Sequence, residues 1–426
     1  MYRGRAAELL GGIEPGTRVR VHKGGRTYEG ILMPRSELGD DRHVVVKLDS
    51  GYNVGIEVSG ARVEVVEGAE RRVVQPPPPP PAACGRVVSV LGTGGTIASR
   101  VDYATGAVHP AYTAEELLGA YPELAELAEL RARVVFSILS ENMRPEHWRR
   151  LAEEVAKELN SGAEGVVVTH GTDTMSFTAS ALAFMLRGLG KPVVLVGAQR
   201  SSDRPSSDAY LNLRSAIRVA LSDLGEVVVV MHASMSDEVC AVHRATKVRK
   251  MHSTRRDAFR SINSPPLGYV GEEVVLGEER RRRREGEVVA DTRLEERVVL
   301  FKAYPGVSPE LLEWCVDRYR GLVIEGTGMG HVPESLHPGI ERALEEGIPV
   351  VMTTTTLNGR VDMKVYSSGR KLLSMGVIPG EDMLPEVAYV KLMHVLGVAE
   401  DMDEVRRLML TSLAGEITPR TLPEVF

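Results

Sequence analysis

Two short segments combine glycines with hydroxyl side chains, and each directly follows an apolar run that is typical of a buried strand. The first reads Gly92-Thr-Gly-Gly-Thr-Ile-Ala98 and presents Thr93 and Thr96, and the second reads His170-Gly-Thr-Asp-Thr174. A threonine hydroxyl is a weak nucleophile that needs a neighbouring base and an oxyanion hole, which the backbone N–H groups of a glycine turn can supply. The two segments therefore indicate nucleophilic attack by a threonine on a carbonyl group.

A third segment can supply the base. It reads Cys240-Ala-Val-His-Arg-Ala-Thr-Lys-Val-Arg-Lys250 and is rich in cations, most of which must be solvated. A lysine buried beside Asp173 can accept a proton if burial lowers its pKa, or it can act as the charge partner of that carboxylate. A Thr–Asp–Lys set of this kind can hold a water molecule or relay a proton.

Spacing excludes several other kinds of site. Counted from Gly92, the sixth position of a dinucleotide-binding fingerprint is occupied by Ile97 rather than by glycine. The sequence also contains no Gly-x-x-x-x-Gly-Lys-Ser/Thr phosphate loop, and the surroundings of His170 and Asp173 lack metal-ligand spacing. We therefore expect no metal in the site.

The composition is that of a folded globular protein. The chain has 426 residues, a formal net charge of −6 and 26% charged residues, which is enough material for a core in several domains. No run approaches the roughly 18 apolar residues of a membrane span, and the N-terminus lacks the apolar region of a secretory signal. The three cysteines have no paired spacing, which argues against a disulfide scaffold or zinc site. We expect a cytoplasmic protein that does not associate with membranes.

Six consecutive prolines, Pro76–Pro81, divide the chain, because such a run favours a stiff polyproline II spacer. Before it, short β-rich runs alternate with glycine, aspartate and serine turns at the spacing of a small barrel. We assign residues 1–70 to a small all-β barrel of the SH3-like or Sm-like type, and residues 71–84 to a proline-rich linker. Such a module has little room for an enzyme pocket, which favours a role in binding or positioning.

Strand and helix signals alternate after the linker. Continuous apolar runs such as Gly165-Val-Val-Val-Thr169 and Pro192-Val-Val-Leu-Val196 are followed by stretches of helical periodicity. This alternation predicts βαβ units around parallel sheets that are covered on both faces. We place residues 85–295 in a first α/β domain and residues 296–426 in a smaller second α/β domain.

Five consecutive arginines, Arg280–Arg284, stand between four glutamates. A contact with nucleic acid is one interpretation. The interpretation that we favour is a solvated hairpin tip whose charges are neutralised by those glutamates, since exposed charge runs usually have no other role.

The glycine segment and the His170–Thr174 segment together resemble the two signatures of the bacterial-type L-asparaginase/glutaminase family. Three further matches are Ser140-Glu-Asn-Met143, Val196-Gly-Ala-Gln-Arg200 and Ser261-Ile-Asn263 with Pro266-Leu-Gly-Tyr269. The resemblance extends from about residue 86 to the C-terminus. It implies an α/β fold, an asparaginase-like two-domain body with parallel sheets, here preceded by the small barrel.

The resemblance also implies roles, residue by residue. The nucleophile of the family falls on Thr96, its Thr–Asp pair falls on Thr172 and Asp173, and its lysine falls on Lys250, with Lys247 as the alternative. We expect Asp173 and Lys250 to be buried together near Thr172. The residues implied in substrate binding are Gly95, Tyr103 on the loop after the nucleophile, and Ser140 and Glu141, which would grip the α-carboxylate and α-amino groups. The preference between glutamine and asparagine stays open, as does the hydroxyl that attacks first.

Barrel, linker and body together resemble the glutaminase subunits of archaeal tRNA-dependent amidotransferases. That resemblance implies that the chain hydrolyses glutamine and supplies ammonia to an E-type partner subunit. The partner would use ATP and Mg to convert Glu-tRNA(Gln) to Gln-tRNA(Gln), so we expect no cofactor in this chain, and we expect a homodimeric core. Two alternatives are a free-standing L-asparaginase/glutaminase and an inactive RNA-binding scaffold. In the second domain, residues 326–330 and 353–360 differ from those of many asparaginases.

Overall fold

The computed structural model describes residues 2–35, 40–48, 53–66, 85–95, 99–101, 108–110, 121–200 and 206–421. The predicted proline-rich linker, residues 71–84, lies outside this described part of the chain. Among the described residues, no helix combines the length and the apolar character that crossing a membrane would require.

The N-terminal unit is a five-stranded antiparallel sheet preceded by one short helix. Its elements are α1 (Gly4–Leu10), β1 (Arg18–Lys23), β2 (Arg26–Leu32), β3 (His43–Leu48), β4 (Asn53–Glu57) and β5 (Arg62–Val65). The strand order is β4-β3-β2-β1-β5. Alternate residues of the strands, such as Val19, Val21, Val44 and Val46, are fully buried and form a core of their own with Ala6 and other residues of the unit. The helix is an addition to the all-β unit that the sequence predicts.

The first α/β domain follows. Its elements are β6 (Val87–Gly94), β7 (Ser99–Val101), β8 (Val108–Pro110), β9 (Glu129–Ile138), α2 (Pro145–Asn160), β10 (Gly165–Thr169), α3 (Met175–Met185), β11 (Leu186–Arg187), β12 (Val193–Val196), α4 (Ala209–Ala220), β13 (Val227–His232), β14 (Cys240–Arg244), β15 (Val248–Lys250), β16 (Phe259–Ser261), β17 (Gly268–Val270), β18 (Val274–Leu276) and β19 (Val289–Ala290).

Eight of these strands form one sheet in the order β18-β17-β14-β13-β12-β10-β6-β9. From β13 to β9 all neighbours are parallel, and the valines of β10, β12 and β13 are buried on both faces, as continuous apolar runs predict. The sheet is not parallel throughout, because β14, β17 and β18 extend it as antiparallel strands. These three strands have no crossover helices between them, and alternation of strand and helix signals does not detect such strands.

The second α/β domain is a four-stranded parallel sheet in the order β20-β21-β22-β23 with its helices. Its elements are β20 (Val298–Lys302), α5 (Pro309–Val316), β21 (Gly321–Gly326), α6 (His337–Glu345), β22 (Val350–Thr354), α7 (Ser367–Met375), β23 (Ile378–Pro379), α8 (Pro385–Val398) and α9 (Met402–Leu410). Helix α8 packs against α3 of the first domain as well as against β21, so one hydrophobic core runs through both domains.

The arginine run Arg280–Arg284 is an irregular segment whose backbone is bonded to Gly190 and Gly225 of the first domain, so the predicted hairpin tip is wrong. Three of its side chains, those of Arg281, Arg282 and Arg284, are exposed, as a solvated run requires. Arg280 donates to the carboxylate of Asp223 at 3.0 Å, and Arg283 donates to that of Glu164 at 2.6 Å. Both acidic partners are distant in sequence. The run is thus largely neutralised by the body of the protein rather than by the flanking glutamates alone.

Candidate active site

The polar segments lie at the carboxyl ends of adjacent parallel strands. From β6 the chain moves to β9 at the edge of the sheet, and it then returns through α2 to β10 on the other side of β6. This reversal creates a crevice at the carboxyl ends of β6 and β10, which is where open α/β sheets bind ligands. The glycine segment ends β6, and the His170–Thr174 segment follows β10.

Two glycines let the backbone of the first segment approach its neighbours closely. Gly94 and Gly95 have φ angles of 100° and 86°, which side-chain-bearing residues rarely adopt. A Cβ atom on Gly95 would overlap the backbone of Gly171, and one on Gly94 would overlap the backbone of Ile138. The turn is held further by Thr93, whose hydroxyl donates to the carbonyl oxygen of Thr169 at 2.8 Å.

Lys250 joins the two polar side chains that follow β10. Its Nζ lies 2.8 Å from Thr172 Oγ1 and 2.7 Å from Asp173 Oδ1. Lys250 is placed there by a hairpin in which it pairs with Phe259 across β15 and β16. Thr172, Asp173 and Lys250 are therefore in direct contact, as the Thr–Asp–Lys hypothesis requires.

Asp173 is not buried with Lys250, and that expectation is wrong for the carboxylate. The Lys250 side chain is 13% exposed, whereas the Asp173 side chain is 67% exposed. Asp173 therefore keeps a water-accessible face while its other side is bound to the ammonium.

Lys247, the alternative lysine, belongs to a different cluster. Its side chain is fully buried, and its Nζ lies 2.7 Å from Asp382 Oδ2 in the second domain. Burial lowers the pKa of Lys247, while the Asp382 carboxylate opposes that shift. Asn263 bonds to the same region, since its amide nitrogen donates to the carbonyl oxygens of Gly359 and Asp382 at 3.0 Å each. Lys247 and Asn263 thus tie the two domains together.

Ser140 and Glu141 lie in a short helical turn directly after β9, on the far side of β6 from β10. Ser140 is buried, and its carbonyl oxygen accepts a hydrogen bond of 2.7 Å from Thr174 Oγ1. Its side chain also fills the space in which a Cβ on Gly171 would lie. Glu141 is exposed. Both residues therefore border the same crevice as Gly95 and Thr172.

Thr96 and Tyr103 lie outside the described residues, so their assigned roles rest on the sequence. Thr96 directly follows Gly95 in the chain, and Gly95 is the last described residue before it.

His170 is a neutral, internal residue. It is fully buried, and its Nδ1 donates to the carbonyl oxygen of Gly171 at 2.6 Å. Desolvation lowers the pKa of His170 to about 4, so the imidazole carries no charge near pH 7. Among the described residues, no cluster of histidine, cysteine, aspartate and glutamate has the arrangement of a metal site.

Three residues behind the crevice are absent from the sequence-based assignment: Asp208, Asn212 and His232. All three are fully buried, and they form a hydrogen-bonded chain that holds residues 197–200 after β12. An aspartate at the start of a helix is typically interpreted as a cap, so only the unusual burial of a carboxylate distinguishes Asp208.

Three family models match the chain. The model described as asparaginase, N-terminal, matches residues 87–282, and the glutaminase/asparaginase C-terminal domain matches residues 297–409. The GatD N-terminal domain matches residues 13–66.

Curated relatives match along nearly the whole length. The D-type subunit of glutamyl-tRNA(Gln) amidotransferase from Pyrococcus furiosus is 55% identical over 426 residues, which cover 97% of each chain. The protein of the same name from Methanothermobacter thermautotrophicus is 52% identical and covers 99% of this chain and 98% of its own.

Solved structures match the body. The thermostable L-asparaginase from Thermococcus kodakarensis has a TM-score of 0.71 and 36% identity, and the match covers 78% of this chain and all of that one. L-asparaginase I from Vibrio cholerae has a TM-score of 0.69 and 29% identity, with 79% and 100% coverage. The predicted asparaginase-like fold is thereby confirmed.

Proposed function

This chain belongs to the family of D-type subunits of glutamyl-tRNA(Gln) amidotransferases, and from that premise we propose that it hydrolyses the side-chain amide of glutamine with the Thr96 hydroxyl as nucleophile. The observation that carries the proposal is the contact of Lys250 with both Thr172 and Asp173, beside the glycine turn that leads into Thr96. A hydroxyl, a carboxylate and an amine in contact are the groups that a proton-transfer relay needs.

The proposed reaction has two steps. In the first, Thr96 Oγ1 bonds to the carbonyl carbon of the side-chain amide, its proton is transferred to the amide nitrogen, the C–N bond breaks, and the nitrogen leaves as ammonia. In the second, water adds to the resulting ester and releases glutamate and the free Thr96 hydroxyl. The backbone N–H groups near Gly95 are suited to stabilise the oxyanion of each step, because fixed dipoles need no reorganisation.

Thr172, Asp173 and Lys250 handle the proton in this proposal. The Lys250 amine is close enough to Thr172 Oγ1 to exchange a proton with it. The Asp173 carboxylate stabilises the protonated amine across 2.7 Å. The set can therefore hold and orient the attacking water in the second step and receive its proton.

Substrate binding is assigned to Gly95, Tyr103, Ser140 and Glu141. Glu141 would pair with the α-amino group, and Ser140 would bond to the α-carboxylate, so both α groups lie at the end of β9.

One methylene separates glutamine from asparagine, and such a difference is worth about 1–3 kcal/mol in a pocket. We assign glutamine as the amide donor because of the family.

The ammonia is proposed to pass to an E-type partner subunit, which converts Glu-tRNA(Gln) to Gln-tRNA(Gln). ATP and Mg belong to that partner.

We also propose that the body pairs with a second copy of itself. The free-standing L-asparaginase remains the second candidate, supported by the match of the body to solved L-asparaginases.

The test is a Thr96→Val variant, purified with the partner subunit and assayed for ammonia released from glutamine and from asparagine. Valine has nearly the shape of threonine without the hydroxyl, so the fold should persist while hydrolysis of both amides is abolished. Unchanged circular dichroism and melting temperature are the control. Full ammonia release by the variant contradicts the assignment, and a wild-type protein that prefers asparagine and ignores the partner supports the free-standing enzyme.

A further inference from the structure

A buried carboxylate lies behind the crevice and does not cap the backbone of the helix that it precedes. Asp208 is fully buried at the N-terminus of α4, but its side chain makes no capping bond to that helix. Its oxygens instead accept the backbone N–H of Gln199 at 3.0 and 3.1 Å and that of Arg200 at 3.0 Å. The carboxylate therefore fixes the backbone of the segment that follows β12.

Asn212 and His232 hold Asp208 in this orientation. The amide nitrogen of Asn212 donates to Asp208 Oδ2 and to the carbonyl oxygen of Gly197, at 3.0 Å each. Both of its hydrogens are thereby used, so the amide oxygen must accept from Nδ1 of the fully buried His232, at 2.6 Å. The hydrogen-bonded set continues on the other side of the ring, where Nε2 of His232 lies 3.1 Å from the carboxylate of the exposed Asp237.

The segment that they hold is packed directly against the proposed catalytic residues. A Cβ on Gly197 would lie 2.7 Å from the carbonyl oxygen of His170 and 2.9 Å from Cγ2 of Thr172, so the two backbones have no space between them. The backbone N–H of His170 also donates to the carbonyl oxygen of Val196 at 2.9 Å. A shift of Gly197 toward these neighbours therefore displaces Thr172, because close-packed interiors leave little space to absorb it.

We propose that Asp208 is a positioning residue for the amidase reaction, which holds Gln199 and Arg200 through their backbone so that Thr172 stays in reach of Lys250. Asn212 and His232 contribute to the same positioning, because they hold the Asp208 carboxylate in its orientation. This assignment rests on the proposed function for its activity readout, because it concerns the geometry of the same site. Its structural readout is independent of activity.

The main test is Asp208→Asn in the full-length chain with its partner subunit. An amide in place of the carboxylate turns one acceptor into a donor, which then faces the N–H of Gln199 or the amide of Asn212. We expect the kcat for glutamine to fall about 10- to 100-fold while KM changes less than about threefold, because the groups assigned to bind the substrate are untouched. Amides in peptides that span residues 196–200 should exchange hydrogen faster.

The matched control is Glu416→Gln. Glu416 is equally buried and accepts two consecutive backbone N–H groups, from Leu413 at 2.9 Å and Ala414 at 2.7 Å, but its ion-pair partner is Lys391 of the second domain. This variant should lower the melting temperature and leave kcat within about twofold. It thus separates general destabilisation from loss of positioning. If Asp208→Asn does not fold, His232→Phe replaces it, with a smaller loss of kcat in the same direction.

Two results overturn the inference. One is an Asp208→Asn protein that keeps wild-type kcat and wild-type exchange at residues 196–200. The other is an equal loss of kcat in Glu416→Gln. Failure of the proposed function gives a different pattern: the wild-type complex then releases no ammonia from glutamine, while the faster exchange of residues 196–200 in Asp208→Asn is still observed.

Discussion

At the residue scale, the site depends on which of two lysines, only three positions apart, reaches the polar segment after β10. Lys250 contacts Thr172 and Asp173, whereas Lys247 is paired with Asp382. Both are partly or wholly buried cations beside a carboxylate, so their environments are similar in kind. We propose different roles for them because only Asp173, the partner of Lys250, directly follows the end of β10.

Alanine substitution of each lysine should therefore have opposite effects. Lys250→Ala removes the proton route from Thr172, and we expect the rate of glutamine hydrolysis to fall about a hundredfold or more with little change in melting temperature. Lys247→Ala leaves the buried Asp382 without its cation, which should cost about 3–5 kcal/mol of stability while the activity per folded molecule persists. Ammonia release from glutamine and thermal melting, measured on both variants, show which lysine acts in the reaction and which one stabilises the fold. A severe rate loss in Lys247→Ala with a mild one in Lys250→Ala would reverse the assignment.

At the element scale, the close contact of two strand ends decides the geometry of the crevice. The turn after β6 and the turn after β10 meet where Gly95 lies against Gly171, and neither position has space for a side chain. Both strands are buried on both faces, so neither turn can retreat from the other.

Gly95→Ala tests this contact, with Gly85→Ala as its matched control. Both glycines have positive φ, 86° and 65°, but a Cβ at Gly85 would meet none of the residues that the structure describes within 4 Å. The control should lose only about 1–2 kcal/mol of stability, because alanine is strained in the left-handed backbone conformation, and it should keep its activity. Gly95→Ala must also separate the two turns, so we expect lower stability than in the control and a rate at least about a hundredfold lower. Equal activity of the two variants would show that the approach of the turns is dispensable.

Two buried histidines, one in each α/β domain, predict that acid destabilises the fold. Desolvation lowers the pKa of His394 on α8 to about 4 and that of His243 on β14 to about 3. The folded chain keeps both rings neutral, whereas the unfolded chain takes up protons below about pH 6.5. The free energy of unfolding should thus fall as the pH drops from 6.5 toward 4, by up to about 1.4 kcal/mol per pH unit for each ring.

His394→Leu should reduce the slope of the unfolding free energy against pH by the contribution of one imidazole ring. Chemical denaturation at pH 7, 6 and 5 measures the slopes. A slope of His394→Leu equal to that of the wild type would mean that His394 becomes protonated in the folded state within this range.

At the scale of the whole molecule, two α/β domains share a core, while the N-terminal unit has a separate one. Helix α8 packs against α3 across the domain boundary, and Lys247 with Asn263 adds polar ties. The N-terminal unit instead buries its own apolar residues around Val19 and Val44. We therefore expect the body to fold without it.

A truncated chain that begins at Gly85 tests the role of this N-terminal unit. It should melt cooperatively and hydrolyse glutamine at the basal rate of the full-length chain. The full-length chain should hydrolyse glutamine faster when the partner subunit and Glu-tRNA(Gln) are both present, and the truncated chain should lose most of that stimulation. The assay compares ammonia release by both chains with and without these additions. Equal, high rates in every combination would favour a free-standing amidase.

The sequence by itself determined the features that depend on local pattern. Continuous apolar runs located β10 and β12. The glycines and hydroxyls after β6 and β10 were predicted to lie together, because the ends of parallel strands meet at one edge, and Gly95 does lie against Gly171. Only the tertiary structure decided what depends on distant partners. A short helical turn ending at Lys247 and the strand after it point two nearby lysines at different carboxylates. The contact of the exposed Asp173 with Lys250 is of the same kind, since the two residues are 77 positions apart. The bonds of Asp208 to Gln199 and the three antiparallel strands were also decided by the tertiary structure, because no local pattern selects these partners.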